Sequence, residues 1–269
     1  LTATMIGTTV FGYGRRNAYA ACTTSGGAVY VCSSANSSTQ NISGPGSGGV
    51  YSSINNLNIS TSSGFGVETS SGHGILITGN ATSRFTDNNN SNISTTSASG
   101  NGMNIVINEG LLNVTTNGTI SGGNNGIRIQ HYYREGPITL DISGDVTGVA
   151  GDGINIETID TNRLVKINIT TGSDSTISGG DNGIEITNRS DDSATIDISG
   201  DVIATDHSIF INTTGDDDDD NLTLRTGSNL SSTNGADLGS GTDTLTLEGN
   251  GSENELFLNV ETVEVNANS

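Results

Sequence analysis

Short aliphatic clusters recur along the chain, each with apolar residues at i and i+2 and a polar residue between them. That alternation marks a strand with one face turned to a core and the other to solvent. The clusters fall into three series. The first follows a Gly or Ser and runs through Ile75/Ile77, Met103/Ile105, Ile127/Ile129, Ile154/Ile156, Ile184/Ile186 and Ile209/Ile211. The second runs through Leu57/Ile59, Phe85, Leu112/Val114, Leu140/Ile142, Ile167/Ile169, Ile196/Ile198, Leu222/Leu224 and Leu245/Leu247. The third holds Val67, Ile93, Ile120, Val146, Ile177, Val202, Leu230 and Leu256. Within each series the step is about 23–31 residues.

Longer segments repeat over two such steps. Ile120–Ile129 reappears as Ile177–Ile186, and Thr139–Val146 as Thr195–Val202. One coil cannot bury its own apolar face, so the coils must stack, turning each series into an aliphatic ladder. The expected fold is all-β: a right-handed parallel β-helix of about eight coils, three short strands per coil, with successive strands about 4.8 Å apart. Gly and Asn at the corners are expected to supply positive φ for the bends. A helical solenoid is excluded by the period of two, and a propeller by the short step.

Composition changes the picture in one respect. Charged residues are 14%, there is no Trp, and the net charge is −20; without the repeats this would read as disorder. The charge makes nucleic acid and anionic membrane surfaces poor partners. No run of about 18 apolar residues offers a membrane-spanning helix, so direct membrane insertion of this chain is not expected.

Residues 1–20 read as the remnant of a signal peptide, with Ala18-Tyr19-Ala20 in the A-x-A form of a cleavage site. Residues 21–48 read as an N-terminal cap and 49–269 as the β-helix. Cys22 and Cys32 flank turn-forming residues and are expected to close a hairpin disulfide, which implies an oxidising compartment.

Catalytic chemistry is hard to find. There is no G-x-S-x-G and no His/Cys spacing for a metal, so no catalytic residue and no cofactor is expected. His73 and His207 fall at corners beside first-series strands. Asp141 and Asp197 point outward from second-series strands, about two strand spacings apart with Asn168 between them. That is the wide edge of inverting-glycosidase geometry, but no aromatic platform lies nearby. The acidic run Asp216, Asp217, Asp218, Asp219 and Asp220 is a weak candidate for a hard cation; a solvated loop is the default. Gly239–Leu245 matches one copy of a calcium-binding nonapeptide, where tandem copies are needed.

Position gives a stronger functional signal. Of seven basic residues after residue 20, five (Arg128, Arg134, Arg163, Lys166 and Arg189) fall in coils four to six. Arg134, Arg163 and Arg189 occupy the loop after the first-series strand in successive coils, which would stack them along one edge. The loop in coil four also carries His131-Tyr132-Tyr133. Tyr and Arg are frequent carriers of interface energy. Tyr132, Tyr133, Arg134, Arg163 and Arg189 are therefore the candidate partner-binding residues.

The repeats, the Cys22–Cys32 loop after a signal-like segment, and the C-terminal runs Asp243–Leu247 and Leu256–Val265 together resemble the passenger domains of bacterial autotransporters. The start, from Met5–Val10 to Ala21-Cys22, is similar to passengers of the Bartonella angiogenic-factor group. This resemblance implies a secreted or cell-surface virulence factor that binds a host cell-surface protein or receptor. It would act as an adhesin or as a soluble pro-angiogenic ligand, with a C-terminal barrel translocator in the full-length protein. The other readings are a polysaccharide-active β-helix enzyme and a passive stalk.

Overall fold

The three series become the three faces of a parallel β-solenoid. A computed structural model describes residues 22–26, 29–33, 35–36, 40–43, 56–79, 81–132, 136–159, 165–188, 193–213, 219–249 and 255–266, and these contain no helix. Sheet A has eleven strands, from Cys22–Gly26 to Thr262–Asn266. Sheet B has eight, from Ala35–Asn36 to Asn229–Ser231. Sheet C has nine, from Gln40–Ser43 to Phe257–Leu258. Among the described residues every strand pairs in parallel except Cys22–Gly26, which runs antiparallel to Val29–Cys32 and is tied to it by the Cys22–Cys32 disulfide.

First-series residues stack in sheet C as expected, Met103 on Ile75 and Ile127, then Ile154, Ile184 and Ile209. Third-series residues stack in sheet B from Val67 to Leu230. The side chains along these columns are almost fully buried, and each buried Ile contributes about 1.5–3 kcal/mol of transfer free energy.

Several expectations need correction. The solenoid makes about seven turns, not eight. Leu256 does not extend the third series: sheet B ends at Asn229–Ser231, and Leu256, 57% exposed, leads instead into the last strand of sheet C. In sheet A the register places Leu140 opposite Val114 and Ile142 opposite Thr116, one inward step from the pairing expected. The strands there have three inward positions, not two, and polar residues hidden in the third concealed the alignment. One of them is Asp87, fully buried, whose carboxylate accepts hydrogen bonds from Thr61 Oγ1 (2.6 Å), Ser91 Oγ (2.8 Å), Ser91 N (3.0 Å) and Asn89 N (3.1 Å). Four donors compensate a carboxylate that would otherwise cost several kcal/mol to desolvate.

The turn from sheet B into sheet C is built on a column of glycines, and positive φ is not the reason. Among the described residues Gly102, Gly126 and Gly153 are absent from the positive-φ set, which includes Gly64, Gly110 and Asn90. The reason is room. A Cβ on Gly102 would lie 2.8 Å from Gly126 O, one on Gly126 2.6 Å from Gly153 O, and one on Gly153 2.7 Å from Gly183 O. On the core side the same Cβ atoms would run into Ile120, Val146 and Ile177. Coils stacked at strand spacing leave no volume there for a side chain.

Candidate functional site

The residue before each of these glycines forms a hydrogen-bonded ladder along the corner. His73 Nδ1 accepts the N–H of Asn101 (3.0 Å), and Asn101 Oδ1 that of Asn125 (3.2 Å). Asn125 Oδ1 accepts the N–H of Asp152 (2.8 Å), Asp152 Oδ1 that of Asn182 (3.0 Å), and Asn182 Oδ1 that of His207 (3.3 Å). Each step satisfies a buried backbone donor that the tight corner leaves without a carbonyl. His73 lies at this corner, as its position implied, while His207 opens the strand His207–Thr213. The recurring Asn-Gly and Asp-Gly pairs were the available signal for this ladder.

Asp152 is the one carboxylate in that ladder, and it gathers others. Asn155 Nδ2 donates to Asp152 Oδ2 (2.8 Å) and to Glu185 Oε2 on the next coil (2.9 Å). Burial, then the neighbouring Asp152, pushes Glu185 up to about 7. Asp181 is raised by burial and by Asp152 and Asp206. Across the outer face of sheet C, Glu157 is engaged by Arg128 (3.4 Å) and Gln130 (3.0 Å).

The carboxylate pair proposed for glycan chemistry fares poorly. Asp141 and Asp197 do project from sheet A with one strand between them, but the intervening residue in register is Thr170, not Asn168. Asp197 is gripped by Arg225 through Nε (2.8 Å) and Nη2 (2.6 Å), and Arg225 Nη1 reaches Glu248 (2.6 Å). This bidentate pair ties Asp197 to the neighbouring strand of its own sheet.

At the corner entering sheet A, the C-terminal coils carry a second ladder, made of carboxylates. Asp220 Oδ1 accepts the N–H of Ala194 (2.6 Å), Asp243 Oδ1 that of Asp220 (2.8 Å), and Glu261 Oε2 that of Asp243 (2.8 Å). Burial pushes Asp243 up to about 6. Asp219 accepts the N–H of Thr242 (3.0 Å), while Asp216, Asp217 and Asp218 lie outside the described residues. Among the described residues no three His, Cys, Asp or Glu are placed to hold a metal.

The edge bearing the candidate partner-binding residues is framed by two columns of strand ends. Sheet C strands end in register at Ile107, His131 and Thr158, and again at Asn188 and Thr213. Sheet A strands restart in register at Leu112, Ile138, Ile167 and Ala194. The segments 108–111, 132–137, 159–166, 189–193 and 214–220 therefore all leave from one column and return to another. Tyr132 stands at the start of the second, half-buried, its N–H donated to Ile107 O (3.0 Å). Lys166 is exposed at the end of the third. Tyr133, Arg134, Arg163 and Arg189 lie outside the described residues.

Two of the neighbouring residues do not project from that edge. Arg128 is on the face of sheet C. His131 is the last residue of strand Ile127–His131 and points into the core, buried, with Nε2 2.9 Å from Gly110 O. A carbonyl can only accept, so Nε2 carries the proton; burial holds this imidazole below its usual range. No family model, no curated protein and no solved structure matches the chain.

Proposed function

We propose that this chain is an exported, right-handed β-solenoid that acts outside the cell by binding a host surface protein or receptor through its loop-bearing edge. The observation that carries this reading is the framing of segments 108–111, 132–137, 159–166, 189–193 and 214–220 between two columns of strand ends in register. A rigid scaffold that releases several segments along one line suits recognition of an extended partner surface. Tyr132, Tyr133 and Arg134 fall in one such segment, Arg163 and Arg189 in the next two, and Asp216–Asp220 in a further one. Parallel crossovers are right-handed in nearly all sheets, which supports the hand. The Cys22–Cys32 disulfide supports an oxidising location, outside the bacterium or on its surface. Such a role fits an autotransporter passenger, adhesin or released ligand, joined in its full-length form to a barrel translocator.

The test is binding of the purified chain to cultured endothelial cells, with glycan degradation assayed in parallel. Saturable binding is expected, and replacing Tyr132, Tyr133 and Arg134 with Ala should weaken it at least tenfold with an unchanged far-ultraviolet dichroism spectrum. A well-folded triple variant that binds like the parent removes the edge. Release of new reducing ends from a polysaccharide would replace the binding reading with an enzymatic one.

A further inference from the structure

Asparagine followed by glycine is a chemically fragile pair. The glycine nitrogen, which no Cβ shields, can attack the side-chain carbonyl carbon of the asparagine before it. The new C–N bond closes a succinimide ring and ammonia leaves. Water then opens the ring, giving aspartate or isoaspartate. The step needs a side chain free to swing over its own C-terminal peptide and a nitrogen not committed to another acceptor.

The chain has six such pairs, at Asn101, Asn117, Asn125, Asn182, Asn234 and Asn250, the last outside the described residues. Three belong to the corner ladder, are buried, and have both reactants held. Asn101 Oδ1 accepts the N–H of Asn125 while Gly102 donates its own to Asn125 O (3.1 Å). Asn125 Oδ1 accepts the N–H of Asp152 while Gly126 donates to Asp152 O (3.0 Å). Asn182 Oδ1 accepts the N–H of His207 while Gly183 donates to His207 O (2.9 Å). Asn234 is held as well: Nδ2 donates to Asp206, and the N–H of Gly235 goes to Ser232 Oγ (2.9 Å).

Asn117 differs. It is exposed, at the corner between the strands Leu112–Thr116 and Thr119–Gly122. Its backbone N–H goes to Asp87 O (3.0 Å), but among the described residues its side-chain amide has no hydrogen-bond partner, and neither has the Gly118 nitrogen.

We propose that Asn117 is a spontaneous deamidation site, where the folded chain converts itself to aspartate or isoaspartate, while the corner ladder keeps Asn101, Asn125 and Asn182 from following. Isoaspartate adds a methylene to the backbone of a corner that has little slack. A Cβ on Gly118 would lie 2.0 Å from Ser91 O of the preceding coil. The conversion therefore loosens one coil and adds a negative charge to a chain already at −20. The site is separate from the loop-bearing edge and does not depend on that reading.

The full chain is incubated in mildly alkaline buffer, with and without urea, then digested, and each Asn-Gly peptide is followed by mass spectrometry. In the folded chain a gain of one mass unit is expected at Asn117, at least tenfold faster than at Asn101, Asn125 or Asn182. In urea the four rates should converge. Asn117→Gln should abolish the gain in that peptide with an unchanged far-ultraviolet dichroism spectrum. An unaltered Asn117 peptide, equal rates at Asn117 and the ladder positions before unfolding, a gain that survives Asn117→Gln, or a tenfold spread that persists in urea would each overturn the proposal.

Discussion

Asp152 accepts the backbone N–H of Asn182 at 3.0 Å, in a ladder whose other described acceptors are the neutral side chains of His73, Asn101, Asn125 and Asn182. Asp152→Ala leaves that N–H buried without its acceptor and should cost about 1–3 kcal/mol. Asp152→Asn keeps an acceptor oxygen in place and should cost much less. Denaturant titration of the two variants checks the difference; equal losses would mean the charge, not the ladder bond, is what matters.

Burial, and then Asp152, also give the outer face of sheet C a pH dependence. Glu185 is raised from 4.5 to about 7, so its contribution to stability is complete below pH 4.5 and is lost as pH climbs through 7. Asp243, raised from 3.8 to about 6, acts in the same sense over a lower window. His131 opposes them: its imidazole is held below 6.5, so its contribution is complete above that value and is lost as pH falls. The melting temperature of Glu185→Gln should fall less between pH 5 and 8 than that of the parent. Parallel curves for the two proteins would show that Glu185 does not titrate in this range.

The glycine column predicts a sharp contrast. Gly126→Ala and Gly153→Ala force a methyl group against a carbonyl of the next coil and a core side chain, and should each cost about 1–3 kcal/mol or more. Gly64→Ala meets nothing within 4 Å and carries only the strain of a positive φ, 81°; a cost near 1 kcal/mol is expected. Chemical denaturation of the three variants tests the order.

Reducing the Cys22–Cys32 bond releases a constraint across ten residues of sequence separation. The chain-entropy relation gives about 3 kcal/mol for a loop of that size. Because coils contact only their neighbours, the loss should appear first as proteolysis near Val29–Cys32, with the central coils still protected. Simultaneous loss of protection along the whole rod would contradict this.

The ladders of sheets B and C were legible because Ile and Val repeat there with little interruption. Sheet A was less so. Its third inward position holds Asp87, Thr116 and Thr171 among Ile142, Ile198 and Leu224, and a polar residue facing inward looks in sequence like one facing out. The corner glycines announced themselves as corners, but their function (clearance, not backbone sign) depends on distances between coils that no single coil reveals. The alignment of the strand ends was readable from loop position alone, since stacking follows from the repeat. His131 was not, because its inward direction depends on the strand running two residues past the last Ile.

The paired columns of strand ends separate two lengths that most folds keep proportional. Residues added between Thr158 and Ile167 project sideways and leave the next strand starting in the same place, so they thicken the rod without lengthening it. Height is counted in turns, reach in loop residues, and a lineage of such chains is free to change one while holding the other constant.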